Sequence, residues 1–133
     1  MNDQAVKAII LENKKVLILK QVVDDKIFFA LPGGRINADN FENELVREIK
    51  EETNLDIKVD KYIADWSFTR KNGDVTNCKI YRCYPLNKSL SADHSENYEN
   101  IQEFLWLTAN EIHAKDFPMD EQLKKIILNT LTA

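Results

Sequence analysis

Cysteine, glycine and proline are scarce in this chain of 133 residues, at two, three and three, and each shortage excludes something. Cys78 and Cys83 lie five apart on a run that reads as a strand, so they point to opposite faces, which argues against a disulfide between them. Two thiols without a metal-ligand cluster fit a reducing compartment, and a cytoplasmic protein is expected. No stretch approaches the roughly 18 consecutive apolar residues of a membrane span, and the first residues lack the apolar core of a signal peptide; neither is expected. Excess positive charge is also missing. A net charge of −4 and a pI near 5.2 give no general electrostatic reason to bind a nucleic-acid backbone. An acidic protein still handles nucleotides where a metal carries the positive charge. The only histidines, His94 and His113, stand far apart without cysteine partners, which excludes a zinc cluster of the usual spacing. No Ser-His-Asp arrangement can be assigned from spacing.

What is present is ordinary in bulk and unusual at one place. Hydrophobic residues make up 44% and charged residues 30%, as in a soluble globular protein, and the length suits one domain over residues 1–133. Ala5–Leu11 and Lys15–Lys20 read as strands around a hairpin at Glu12-Asn13-Lys14, and Lys26–Leu31 as a third strand running into Pro32 and the glycines. Asn40 or Asp39 can cap a helix from Phe41 to about Thr53, with Phe41, Leu45, Val46 and Ile49 as its buried stripe and Asn54 as a left-handed C-cap. Residues 57–70 and 75–86 read as long strands around Asn72-Gly73-Asp74, and Ser89 through Asn100 as an acidic loop. Gln102–Leu107 is a further strand, with Phe104 and Trp106 on one face and Leu105 and Leu107 on the other. Thr108 can cap a short helix through Glu111, and Pro118 fits the first turn of a last helix over roughly 119–131, packed through Leu123, Ile126, Ile127, Leu128 and Leu131. Strands on both sides of one central helix, with a helix at the end, predict a mixed α/β (α+β) domain.

The unusual place is residues 31–55, where two adjacent glycines precede an acidic helix. Glu48 and Glu52 are one helical turn and about 40° apart, with Glu51 beside them, so all three can face one cation. Hard Mg²⁺ or Mn²⁺ suits such carboxylates. Gly33 and Gly34 can bring backbone into a site where a side chain would obstruct it. Arg47 can hold a helix or loop carboxylate through its rigid fork. The plainer reading is that acidic residues on a helix are a solvated face and that Gly-Gly is a turn.

The order of residues adds to this. Pro32-Gly33-Gly34, then Phe41-Glu42, then Leu45-Val46-Arg47-Glu48-Ile49-Lys50-Glu51-Glu52-Thr53 and Leu55, resembles the signature of the Nudix hydrolase superfamily (MutT-like) across nearly the whole order of elements. The resemblance implies an α-β-α sandwich with a mixed sheet. It also implies Mg²⁺-dependent hydrolysis of a pyrophosphate bond in a nucleoside diphosphate linked to another group. It makes Glu51 and Glu52 the main metal ligands, with the Gly33 carbonyl, and Glu48 a ligand or general base. Arg47 would orient a glutamate. A further acid from a late loop or strand is expected among Glu96, Glu99 and Glu103, with Glu99 favoured. Three features depart from the family pattern. Counted from Gly34, the interval to Arg47 is one residue short. The loop glutamate is absent, with Asp39 or Asn40 in its region, and Asn54 stands where the family has glycine. Glu44, where a small residue is usual, is a candidate for part of the missing carboxylate.

For substrate, Phe28, Trp66, Phe68 and Tyr98 are candidates to stack on a base, against the plainer reading that strand aromatics are core. Gly34, Arg35, Arg70 and Lys71 are candidates to hold phosphates. A free nucleotide or nucleoside diphosphate derivative is the expected small-molecule partner, with no membrane partner and a monomer or homodimer as the assembly. The departures leave two other functions open: a catalytically weakened nucleotide-binding or regulatory protein on the same scaffold, and hydrolysis of a non-nucleotide diphosphate.

Overall fold

A computed structural model describes residues 2–37, 39–70, 72–91 and 100–133. Among these are seven strands and three helices, in the order β1 (Asn2–Glu12), β2 (Lys15–Val23), β3 (Lys26–Ala30), β4 (Gly33–Ile36), α1 (Phe41–Thr53), β5 (Ile57–Thr69), β6 (Val75–Pro85), β7 (Ile101–Thr108), α2 (Ala109–His113) and α3 (Glu121–Leu131). None of these helices is long and apolar enough to cross a membrane.

The strands form two halves. In one, β4, β1, β6 and β5 lie side by side, with β1 and β6 parallel and the other pairs antiparallel. In the other, β2 lies antiparallel between β3 and β7. Among the described residues the one strand pairing between the halves is the β1–β2 hairpin, with Leu11 opposite Val16 and Glu12 opposite Lys15. Asn13 and Lys14 both take positive φ there, the pair of left-handed residues that a tight two-residue hairpin requires.

Side-chain alternation sorts each strand between two cores. Val6, Ala8 and Ile10 of β1 pack with Leu45 and Ile49 of α1, while Ile9 packs on the other face with Ile112 of α2 and Leu123 and Ile127 of α3. The same division holds on β7, where Phe104 and Trp106 join the α1 core and Leu105 and Leu107 join the α3 core. Trp106 is therefore a packing residue. The result is a mixed α/β sandwich with helices on both faces of a mixed sheet. Cys78 and Cys83 are buried and free, and Cys83 belongs to the α1 core.

Three expectations are corrected. The glycine segment is a short strand rather than a turn, because Gly33–Ile36 pairs with Gln4–Lys7 of β1. Val46 is 38% exposed instead of packed, since Leu45, Ile49 and Glu52–Thr53 form the stripe facing the sheet and Val46 lies about 100° around the helix from Leu45. Pro118 precedes the last helix, which starts at Glu121 because the Asp120 side chain accepts the Leu123 N–H at 3.0 Å and caps it there.

Candidate metal and nucleotide site

Local signals fix the acidic helix. Asn40 Oδ1 accepts the Asn43 N–H at 3.1 Å and starts α1, and Asn54, at φ 68°, ends it while donating its N–H to the Lys50 carbonyl. These caps set the ends of the helix, and Leu45 and Ile49, packed on the sheet, set its rotation and with it the positions of Glu44, Glu48, Glu51, Glu52 and Arg47.

The glutamates do not share one environment. Glu52 is 8% exposed, and its Oε1 accepts the Gly33 N–H at 2.8 Å. Burial pushes its pKa up to about 7, with Lys7 and the Gly33 N–H opposing and Glu48 adding to the rise. Glu48 lies one turn earlier, against Gly34: a Cβ on that glycine would sit 2.3 Å from Glu48 Oε2. Burial also raises the Glu48 pKa, while Arg47 pulls it down and Glu51 pushes it up. Arg47 serves three acids at once, donating from Nη2 to Glu44 at 2.6 Å and to Glu48 at 3.0 Å, and from Nη1 to Glu51 at 2.8 Å. Its own ionisation is pushed further up, first by the bond to Glu44.

Like charges crowded on one helix repel, and the planar guanidinium relieves that by lying among positions 44, 48 and 51. This is why the expected convergence of Glu48, Glu51 and Glu52 is not what the structure brings together. Glu48 and Glu52 meet the glycine backbone, whereas Glu51 turns to Arg47. Among the described residues no three His, Cys, Asp or Glu side chains converge as a metal cage. The pair nonetheless fits a hard cation. Its donors are carboxylate oxygens beside the Gly33–Gly34 backbone, burial leaves the charge of both acids undercompensated, and the missing Cβ of Gly34 makes room for the Glu48 carboxylate. Mg²⁺ commonly takes one or two protein carboxylates and completes its shell with water and phosphate oxygens.

Glu44 is placed on Arg47 and away from the glycines. Since Arg47 would keep Glu48 and Glu51, Glu44→Ala is expected to lower turnover by less than about threefold and leave the Mg²⁺ requirement unchanged. A Mg²⁺ titration of kcat checks this, and a tenfold loss would assign Glu44 to the site itself.

Glu48 lines one cleft, and a second lies beyond Lys7 and Leu31. A polar cleft of ≈ 470 Å³ is lined by Asp3, Gly33, Gly34, Arg35, Asn37 and Glu48. Asp3 holds Arg70 at 2.8 Å and Arg35 at 3.8 Å, so both predicted phosphate-binding arginines share one carboxylate. Asp39 is exposed beyond this cleft; counted from Gly33 rather than Gly34, five intervening residues end at this acid. The second cleft, ≈ 310 Å³, opens between the two halves of the sheet and is apolar, walled by Phe28, Phe29, Leu31, Trp66 and Phe68 with Lys7 at its edge. Trp66 and Phe68 lie 5.2 Å apart on one face of β5, and Trp66 Nε1 donates to Asp120. The structure thus brings Phe28, Trp66 and Phe68 together. Glu103 pairs with Lys20 at 3.9 Å on the sheet. Lys71, His94, Glu96, Tyr98 and Glu99 lie outside the described residues. Asp3 and Lys7 went unread in the sequence. A signal existed for Lys7, which is the one charge inside the apolar run Ala5–Leu11.

No functionally curated protein matches the chain. Solved structures match over almost its full length. A NUDIX hydrolase from Nitrosomonas europaea superposes with a TM-score of 0.80 at 18% identity, covering 97% of this chain and 87% of that one. The MutT protein from Methanosarcina mazei Go1 gives 0.78 at 16%, covering 98% and 93%. An ADP-ribose pyrophosphatase from Streptococcus suis 89-1591 gives 0.68 at 18%, covering 98% and 92%. These likenesses speak to fold. The NUDIX domain profile matches residues 1–129, and with Gly33, Gly34 and the Arg47–Glu52 run disposed as above, the chain belongs to the Nudix (MutT-like) superfamily.

Proposed function

We propose that the protein hydrolyses a pyrophosphate bond in a nucleoside diphosphate linked to another group, using Mg²⁺ or Mn²⁺. The observation that carries this reading is the pair of buried Glu52 and half-buried Glu48 against the Gly33–Gly34 backbone, with a polar cleft lined by Glu48 and both glycines and an aromatic cleft reached through Lys7 and Leu31.

Glu52 and Glu48, with the Gly33 carbonyl, are the groups that would hold the cation. Bound there, the ion would neutralise phosphoryl charge and acidify the attacking water. The protein's own residues do the rest. Glu52 is locked by the Gly33 N–H and supplies a fixed oxygen. Glu48, with a basicity raised by burial, serves as a second ligand or accepts the proton from water. Arg47 fixes Glu48 and Glu51 without touching substrate. The flat faces of Phe28, Trp66 and Phe68 suit a nucleobase, for which stacking contributes about 1–3 kcal/mol. Arg35 lines the polar cleft, and Arg70 is paired with Asp3 of the same cleft, where the group beyond the pyrophosphate would lie.

The test is a panel of nucleoside triphosphates, ADP-ribose, sugar nucleotides and dinucleoside polyphosphates, assayed with Mg²⁺, with Mn²⁺ and with chelator. At least one compound should be hydrolysed, and only with metal present. Binding without turnover across the panel would replace this reading with that of a nucleotide-binding protein.

A further inference from the structure

Lys7 lines the aromatic cleft and packs against Gly33, which lines the polar one. It lies opposite Gly33 in the β1–β4 pairing, and its stem packs on that glycine so closely that a Cβ there would stand 2.9 Å from Lys7 Cα and 3.0 Å from Cδ. The N–H of the same glycine goes to Glu52. Gly33 is thus a one-residue partition, with the buried acid bonded to it and the lysine stem against it. The ammonium reaches the edge of the aromatic cleft, where Nζ has one polar contact among the described residues, a 3.4 Å approach to the Leu31 carbonyl. An ammonium carries three donors, so two are left over.

The other cations near the clefts are committed. Arg47 is shared among Glu44, Glu48 and Glu51, Arg35 and Arg70 both face Asp3, and Lys20 and Lys79 pair with Glu103 and Asp65. Lys7 alone of these borders the aromatic pocket and makes no ion pair among the described residues, its charge acting on the Glu52 carboxylate without a direct bond. A half-buried positive charge at the mouth of an apolar pocket favours an anion there. Its freely rotating donors suit a tetrahedral oxyanion better than a planar carboxylate.

We propose that Lys7 is a substrate-binding residue that holds the phosphate joined directly to the nucleoside, fixing it between the aromatic pocket and the Glu48–Glu52 pair; this rests on the nucleotide reading above. Lys7 sets which end of a substrate enters the pocket, because a base stacked on Trp66 and Phe68 then carries its first phosphate past Gly33 and its second towards the carboxylates.

Calorimetric titration of the full chain in Mg²⁺ tests this with the four ribonucleosides and their 5′-monophosphates, which have no pyrophosphate to hydrolyse. Wild type should bind the best monophosphate at least about tenfold more tightly than its nucleoside, as a charge-assisted contact provides. Lys7→Gln should bring that ratio near one with nucleoside affinity unchanged, and Lys7→Arg should keep most of it. Equal loss of nucleoside and monophosphate binding in Lys7→Gln, with thermal unfolding unchanged, would make the lysine a shaping residue and overturn the proposal. So would a wild type that binds nucleoside without favouring its monophosphate, although the base pocket would then stand. A wild type that binds neither removes the base pocket, and Lys7's role with it, whatever the hydrolysis panel gives.

Discussion

Glu52→Gln is expected to abolish hydrolysis while making the protein more stable in the presence of chelator. In the folded chain burial raises the Glu52 pKa to about 7, from 4.5 for an unhindered glutamate. The fold therefore favours the protonated acid. That stabilisation is fully present below pH 4.5 and is lost as the pH rises through about 7. At pH 8 the ionised carboxylate costs about 3 kcal/mol, from 1.36 kcal/mol per pH unit. Glutamine keeps an oxygen for the Gly33 N–H at the same place and never ionises. In chelator at pH 8, denaturant unfolding should show a gain of about 1–3 kcal/mol that shrinks towards pH 4.5. Turnover with Mg²⁺ should fall by about a hundredfold or more, since a neutral amide is a poorer ligand and does not offset the ion's charge. Added Mg²⁺ should raise the Tm of wild type more than that of the variant. A variant less stable than wild type at pH 8 would mean that the buried charge is already compensated, and undiminished turnover would remove Glu52 from the site.

Gly33→Ala should have the largest effect on the fold. Gly33 adopts φ +149°, and a Cβ there would lie 2.0 Å from the Val6 carbonyl oxygen and 2.9 Å from Lys7 Cα, both backbone atoms of a central strand that cannot yield without unpairing β1 from β4. A loss of about 3–5 kcal/mol is expected, enough to leave a domain of this size largely unfolded at elevated temperature. Gly34→Ala provides the contrast. The three atoms nearest its Cβ would all belong to the Glu48 carboxylate, the far end of a flexible side chain. Stability should change by about 1 kcal/mol or less, while displacement of that carboxylate cuts turnover by about tenfold or more. Thermal unfolding and kcat for both variants separate the cases. Equal destabilisation, or full activity in Gly34→Ala, would contradict the assignment of Gly34 as the space for Glu48.

Much of this protein is written in short-range order. The alternation of β7 places Phe104 and Trp106 on one core and Leu105 and Leu107 on the other. Asn40 and Asn54 delimit α1, and Thr108 with Glu111 forms the reciprocal cap of α2. Each depends on groups within about four residues, so a linear reading finds it. The order of Arg47 to Glu52 likewise carried the family.

Tertiary structure decided what identical residue types do. Glu51 and Glu52 are neighbours, yet one is tied to Arg47 near solvent and the other is buried on Gly33, because the strand β4 passes one side of the helix only. The strand character of Gly33–Ile36 comes from β1, and the β1–β6 pairing joins segments about seventy residues apart; nothing local encodes either. The same holds for the aromatic cleft, whose aromatic walls come from β3 and β5, strands of different halves of the sheet. Hydrogen bonds and side-chain periodicity act over one turn of chain and are legible there. Burial, and the charge state that burial sets, belong to the packed whole.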